Sequence, residues 1–355
     1  MSGGPLPRTQ GLLPILNNLA HSMAIHDPVV VNDWHPVAKS GAIPIGGVSA
    51  ASLLGIELAL WRGADGAVHA WEDRCPHRGT RFSIGRVRES EIECAYHGWR
   101  FAASGQCTAV PALPGQRAPA GASARVFIAA ERYGLVWVCV GTPSAEVLPF
   151  PEHADSRLNK VICGPYEVAT SGPRIVENFL DMAHFPFVHA GILGAPGRTA
   201  VRDYQVAPWE DGAGGGGILA TGCFFWQPQT NSLAHGGSEV EYTYRVVRPL
   251  SAILTKVPQA QEGFREAISL HIQPLGEALS RVWIILALTN FEQSEAELRG
   301  FQDRIFLQDL PIIENQVPKC LPLDPGAEHS MVCDRMSLAY RAHIKALGMI
   351  YGVLR

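Results

Sequence analysis

The sequence is poor in charge. Asp, Glu, Lys and Arg make up only 17% of its 355 residues, and the net charge is −4. That balance offers no electrostatic case for nucleic acid or an anionic membrane as partner. No apolar run reaches membrane-spanning length, and residues 11–20 are interrupted by Pro14 and two asparagines. The start lacks a charged segment followed by a long apolar one, so no signal peptide is expected and a cytoplasmic location is the default. Eight cysteines scattered over this length do not make a disulfide framework. The glycine run at 211–217 joins no strand to a helix and has no Lys-Ser/Thr after it, which excludes a phosphate loop and leaves a hairpin tip.

What is present is ample core. Hydrophobic residues reach 47%, and the length predicts two domains. Residues 1–27 form an N-terminal extension rich in turn formers. From residue 28 to about 141 the chain reads as short strands, among them PVVVNDWHPVA, LGIELALWRG, AVHAWED, IECAYHGWRF and YGLVWVCVG, with Gly-containing turns between them. This predicts an all-β domain over 28–150, containing a Pro/Gly-rich excursion at 111–122 and closed by a linker at VLPFPEH. The remainder, 151–355, changes texture. RIVENFLDMAHFPFVHAGIL has helical spacing at Ile175, Phe179, Met182 and Ala183; long strand-like runs follow, then a helical stretch over about 294–315. The prediction there is α+β, a sheet flanked by helices.

Two short clusters stand out, Cys75-x-His77 and Cys94-x-x-His97. Structural zinc sites usually pair cysteine with cysteine and histidine with histidine. Here each cluster holds one of each. That arrangement suits two irons bridged by sulfide, with both thiolates on one iron and both imidazoles on the other, the ligand set of a Rieske [2Fe–2S] centre. The other cysteines, Cys107, Cys139, Cys163, Cys223, Cys320 and Cys333, have no ligand spacing and are assigned to packing.

A second constellation lies in ENFLDMAHFPFVH. Asp181 and His184, three apart, would share one face of a helix, where the carboxylate can orient the ring. His184 and His189 are five apart, about 140° around a straight helix, too divergent for one ion. Pro186 between them predicts a break that lets them converge. A third ligand must come from afar. Asp303, Asp309 and Glu314 are all available in FQDRIFLQDLPIIENQ, and spacing alone does not choose among them.

The segments CPHRG and CAYHGW resemble the Rieske signature of the non-haem iron oxygenases, with Ala95 where that family usually has proline. No extra cysteine stands beside His77 or between Cys94 and His97, unlike the respiratory Rieske type. N-x-x-D-x-x-H-x-x-x-x-H, beginning at Asn178, resembles the mononuclear iron motif of the same oxygenases. NDWHPVAK and ERYGLVWVCVG are similar to the group containing vanillate, caffeine and dicamba demethylases, toluenesulfonate methyl hydroxylase and saxitoxin-type alkaloid hydroxylases. The resemblance implies a catalytic alpha subunit with a Rieske cluster on Cys75, His77, Cys94 and His97. It implies Fe(II) on His184, His189 and a carboxylate. Asp309, five residues before Glu314 with Gln308 where Glu is frequent, fits that role, and Asp303 is the alternative. Asn178 and Asp181 are then catalytic-site residues, Asp181 bridging His184 to the His97 side of a neighbouring cluster in a head-to-tail homotrimer.

The implied reaction is monooxygenation of an aromatic or heterocyclic small molecule with O2, by hydroxylation or by oxidative demethylation with loss of formaldehyde. The chain has no dinucleotide fingerprint and no plant-type ferredoxin cysteine run, so electrons must come from a separate flavin-type NAD(P)H-dependent reductase. Arene cis-dihydroxylation uses the same metals, and a Rieske electron-transfer protein would need only the cluster. Phe185, Ile192, Leu193, Phe225 and Trp283 are the residues expected to face a substrate pocket, or else the core.

Overall fold

A computed structural model describes residues 25–119, 121–210, 216–234 and 236–355. Ten short strands build the first half. They are β1 (His35–Lys39), β2 (Val48–Leu53), β3 (Ile56–Arg62), β4 (Val68–Glu72), β5 (Arg86–Arg88), β6 (Glu91–Glu93), β7 (Arg100–Ala102), β8 (Cys107–Ala109), β9 (Val126–Arg132) and β10 (Leu135–Cys139). Six form one antiparallel sheet in the order β1-β10-β9-β4-β3-β2, and β5 to β8 form a four-stranded meander. The meander rests on an aromatic cluster. Trp61, Trp71, Phe82 and Phe101 are fully buried, and Trp71, Phe82 and Phe101 meet edge to face at 5.2–6.5 Å between centroids. Such ring pairs add directional attraction to burial.

The second half is built on a seven-stranded antiparallel sheet. Its strands are β11 (Asn159–Val168), β12 (Gln205–Glu210), β13 (Gly216–Gln227), β14 (Ser238–Arg248), β15 (Ser251–Pro258), β16 (Glu266–Gly276) and β17 (Leu279–Leu288), in the order β11-β17-β16-β15-β14-β13-β12. β12 and β13 pair up to Glu210 opposite Gly216, while the expected tip at 211–215 lies outside the described residues. Six helices are described: α1 (Pro28–Val31), α2 (Pro151–Ala154), α3 (Gly172–Leu180), α4 (Phe185–Val188), α5 (Glu295–Ile313) and α6 (Arg335–Ala346). α5 begins in a capping box, with Ser294 and Glu297 satisfying each other's backbone N–H groups.

The large sheet is covered on both faces, which is why β16 is buried over its first nine residues. Residues of one parity, including Ile253, Ala267, Trp283 and Ile285, pack against Leu135, Trp137 and Cys139 of the first half. Residues of the other parity, including Leu254, Ile268, Leu270 and Ile284, face α3 and α5. Strand-edge hydrogen bonds also join the halves: Leu54 N–H donates to Pro274 O at 2.7 Å, and Gln273 Nε2 donates to Ser52 O at 2.7 Å.

The α+β architecture matches the sequence reading, and three local expectations are corrected. Pro28–Val31 is helical despite three consecutive valines, because Asp27 caps it and Pro28 opens it. The helix expected to run through Ala183 stops at Leu180. VLPFPEH is no loose linker: Val147, Leu148 and Phe150 are buried against the large sheet. Helix α6, which the sequence reading did not single out, packs Met336, Tyr340 and Ile344 into the same core as α3.

Asp27 ties the beginning of the described chain to its end. Its carboxylate accepts from Val29 N–H at 2.8 Å and from the N–H groups of Ile350 and Tyr351 at 2.7 Å each. Asp27→Ala leaves these donors without their acceptor in a buried place and is expected to cost about 2–4 kcal/mol. Urea unfolding of the two proteins checks this; an unchanged midpoint would show that the tie carries no stability.

Candidate metal centres

The first centre lies at the tips of two loops flanking β5 and β6. Both loops are built on the same backbone pattern. Cys75 N–H donates to Thr80 O and Gly79 N–H to Cys75 O, at 2.8 Å each; Cys94 N–H donates to Trp99 O at 2.9 Å and Gly98 N–H to Cys94 O at 3.0 Å. In each loop a glycine four residues after the cysteine turns the chain, with φ of 76° at Gly79 and 70° at Gly98, values that disfavour a residue with a Cβ. The two loops are structural equivalents although the histidine stands two residues after one cysteine and three after the other.

Their side chains converge by kind. The two thiols are buried and free, with Cys94 within hydrogen-bonding reach of Cys75. The His77 and His97 rings lie 4.5 Å apart between centroids, and Trp99 stacks flat on His77 at 4.3 Å. Burial, reinforced by Cys94, pushes the Cys75 thiol up to about 11. A thiol held so high is a poor nucleophile. It becomes a thiolate when a cation replaces its proton. His77 is pushed below the ordinary imidazole value by desolvation and then by His97 and Arg78, which favours the neutral ring a metal requires. A thiol pair beside an imidazole pair is the donor set of a Rieske cluster. Among the other cysteines, Cys107, Cys139, Cys163 and Cys223 are buried and Cys320 and Cys333 half-buried.

The second centre forms where α3 ends. Asp181 takes an extended conformation (φ −84°, ψ 133°) and closes the helix, and the chain re-enters a single helical turn at α4, with His184 before it and His189 after it. The break therefore falls at Asp181, ahead of Pro186, which sits in the first turn of α4. Asp181 and His184 do not share a helical face as expected. They meet because Asp181 folds back on the following turn, accepting from Ala183 N–H at 2.8 Å and from His184 Nδ1 at 3.0 Å.

Across from them, α5 supplies the carboxylate. Asp309 Oδ1 lies 3.1 Å from His189 Nε2 and 3.4 Å from His184 Nε2, and the three donor groups all fall within 4.8 Å of one another. Asp303 points away, accepting the Tyr166 hydroxyl at 2.5 Å, and Glu314 accepts from Ala169 N–H at 2.7 Å. The Asn178 amide stands 3.4 Å from Asp309 Oδ1.

Both rings are oriented from behind. Asp181 holds Nδ1 of His184, and Gln308 Oε1 holds Nδ1 of His189 at 2.9 Å, so each presents Nε2 inward. Burial alone would raise Asp181, but the His184 ring and two backbone N–H groups outweigh it and hold the carboxyl below its usual value. Burial alone would lower His189, and Asp309 more than offsets it. Gln308 was not predicted as a site residue; its place directly before Asp309 was the available signal.

The triad opens on a cavity of about 80 Å³ between the large sheet and α3, α4 and α5. Phe185 and Leu193 line it, as do Asn178 and Gln302. Ile192, Phe225 and Trp283 do not. Phe225 packs behind Phe185 with centroids 5.4 Å apart, and Trp283 faces the opposite side of the sheet, donating to Gln273 at 2.9 Å. Lys256 and Glu266, unremarked in the sequence, line the cavity as a buried ion pair at 3.0 Å.

Comparison with known proteins agrees with both centres. Residues 33–123 match the Rieske [2Fe-2S] domain, and residues 168–349 match the vanillate O-demethylase oxygenase C-terminal domain. The chain is 29% identical over 322 residues to methylxanthine N1-demethylase NdmA of Pseudomonas putida, covering 88% of each protein. It is 40% identical over 223 residues to a probable methylxanthine N7-demethylase NdmC of a Pseudomonas species, covering 63% of this chain and 78% of the other. The solved structure of NdmA with caffeine superposes with a TM-score of 0.78 at 28% identity, covering 88% of this chain and 90% of that one. With a Rieske domain followed by this oxygenase domain, the chain belongs to the Rieske non-haem iron oxygenases as a catalytic alpha subunit, an enzyme that uses a [2Fe–2S] cluster and a mononuclear iron to hydroxylate or demethylate small aromatic or heterocyclic molecules.

Proposed function

We propose that this enzyme oxidatively removes a methyl group from a planar aromatic or N-heterocyclic substrate bound in the cavity beside His184, His189 and Asp309. The observation that carries this reading is the convergence of those three side chains at the wall of an otherwise largely apolar cavity. Two imidazoles and one carboxylate are a donor set that would suit iron(II). When bound, the iron supplies dioxygen activation and the cluster supplies electrons singly.

The chain's own residues do the rest. Asp181 and Gln308 fix the tautomer and tilt of the two rings. Phe185 and Leu193 shape the apolar space and exclude water. Asn178 stands beside the Asp309 oxygen nearest both rings and is placed to hold that carboxylate in one orientation. Cys75, His77, Cys94 and His97 are the residues that hold the cluster. The proteins named above act on methylxanthines, and methylated heterocycles and methoxyarenes are accordingly the substrate classes proposed here. A separate NAD(P)H-dependent reductase feeds the cluster from the cytoplasm.

We further infer a head-to-tail homotrimer in which Asp181 links His184 to the cluster of the next subunit. Two features support it. The cluster tip is exposed, with Tyr96 at 63%, and the Asp181 side chain, which holds His184 from behind, keeps 32% of its surface open. A heterologous contact of this kind closes into a ring.

The direct test is incubation of the iron-loaded protein with a matched reductase, NADH and a methylated heterocycle or methoxyarene; formaldehyde in step with demethylated product is expected. Cys75→Ser should abolish the reduced-state Rieske EPR signal while Cys139→Ser keeps it; a colourless protein holding stoichiometric zinc would overturn the cluster assignment. His184→Ala should end turnover with the Rieske spectrum intact, and Asp309→Ala should lose the mononuclear iron while Asp303→Ala retains it. The opposite result for the two aspartates would move the third ligand to Asp303. Asp181→Asn should keep both centres loaded yet slow cluster oxidation about 100-fold in a single turnover. Normal cluster oxidation in the folded, loaded variant would reduce Asp181 to a brace of its own turn.

A further inference from the structure

The cavity contains one feature the chemistry at the metal triad does not need. Lys256 on β15 and Glu266 on β16 are directly opposite cross-strand neighbours, and their side chains meet at 3.0 Å with exposures of 4% and 8%. They sit on the sheet face that lines the cavity, amid Leu254, Ile268 and Leu270. A buried ion pair is costly to place and is often no more stabilising than apolar residues of the same volume. Stability alone therefore gives little reason for one in the wall of a substrate cavity.

The pair also has unused bonding capacity. An ammonium offers three donors and a carboxylate about four acceptor positions. Among the described residues, each is the only hydrogen-bond or ion-pair partner the structure gives the other. The Gln302 side chain, which lines the same cavity, has no hydrogen-bond partner among the described residues. These groups stand apart from the metal triad. Gln302 and Asp309 both line the cavity from α5 and are seven residues apart, two turns or about 10 Å along the helix axis. Glu266 and Gln302 additionally border a smaller recess that His184, His189 and Asp309 do not touch. The cavity thus has an oxidising end and, about one small ring system away, a polar end.

Resting on the demethylase reading above, we propose that Lys256 and Glu266 are the specificity-determining residues of the cavity. They select a neutral planar heterocycle whose far edge carries a ring amide or imide, an N–H beside a C=O. Lys256 donates a spare N–H to the carbonyl, and the carboxylate of Glu266 accepts the ring N–H. Both bonds form without breaking the ion pair. A substrate carboxylate is disfavoured for the same reason. To reach Lys256 it must displace Glu266, leaving a second carboxylate unpaired in an apolar cavity. A ring bearing only methyl groups at that edge gains neither the acceptor nor the charge-assisted strength of the bond.

The test uses the iron- and cluster-loaded enzyme with three probes. Theobromine has a ring imide N–H; caffeine is the same ring with that position methylated; vanillate is an aromatic carboxylate. Equilibrium binding without dioxygen is measured by calorimetry. Theobromine should bind about 10- to 100-fold more tightly than caffeine, with vanillate weakest. In K256M/E266L, which removes both charges and leaves none orphaned, the theobromine-to-caffeine ratio should fall to near one with metal content unchanged. In turnover the change should appear as a raised KM for theobromine and none for caffeine. Should that variant fail to fold, the reversal K256E/E266K keeps an ion pair but exchanges donor and acceptor, and should also abolish the preference. Equal or reversed affinities in the native enzyme, no binding of any probe, or a preference that survives these substitutions would overturn the proposal. Formaldehyde release from caffeine with the preference absent would reject the role of the pair while leaving the demethylase reading standing. A loaded enzyme that oxidises no methylated heterocycle or methoxyarene would reject that reading itself.

Discussion

Everything at the second centre depends on where α3 stops. Two histidines five residues apart cannot serve one ion from an unbroken helix, and the chain avoids this by leaving helical geometry at Asp181. The same residue that ends the helix then caps the turn that follows and takes the Nδ1 hydrogen of His184. Backbone path, ring tautomer and ring tilt are in this way set by one carboxylate. The rest of the site is arranged to meet that geometry. A 19-residue helix fixed at its start by a capping box delivers Asp309 to the two imidazoles and Gln308 to the second ring.

The α3 position is itself held from below by charge. Arg174, nearly inaccessible to solvent, donates to Pro318 O and to Glu328, while Arg341 of α6 binds both Glu177 and Glu328. Each cation has more than one oxygen partner, so no charge in the network is left unpaired as it is removed from water. Burial pushes Glu177 above the usual carboxylate range despite these arginines. The arrangement joins the helix carrying Asn178 to a C-terminal element more than 150 residues away in sequence.

Much of this was legible in the sequence because metal chemistry constrains residue type and spacing tightly. The four cluster residues could be named from spacing, the His184/His189 pair from its resemblance to the mononuclear iron motif, and the α+β texture from periodicity. Spacing alone could not choose among Asp303, Asp309 and Glu314, and the resemblance singled out Asp309; the choice depends on which side of α5 faces the sheet, and Tyr166 and Ala169, which engage the other two, are distant in sequence. Trp283 could be read as pocket or core, and it lies in the core on the face away from the cavity; β17 is buried on both sides, so alternation carries no signal there. Lys256 and Glu266 went unremarked because a lone lysine in a strand is ordinarily solvated; only the pairing of β15 with β16 reveals its partner. The helix at Pro28–Val31 was hidden by its valines, and the Asp-Pro step before them was the stronger signal.

The shared core between the halves has a mechanical consequence. Strand edges bonded across the boundary, and a sheet face packed directly against Leu135 and Trp137, leave no slack layer between the cluster-bearing lobe and the lobe with the cavity. Packed interiors transmit displacement rather than absorb it. The loops carrying His77 and His97 therefore behave as the far end of a stiff lever, not as a swinging arm. Whatever meets them must bring its own adjustment, and the aim of that tip is fixed by the fold before any partner arrives.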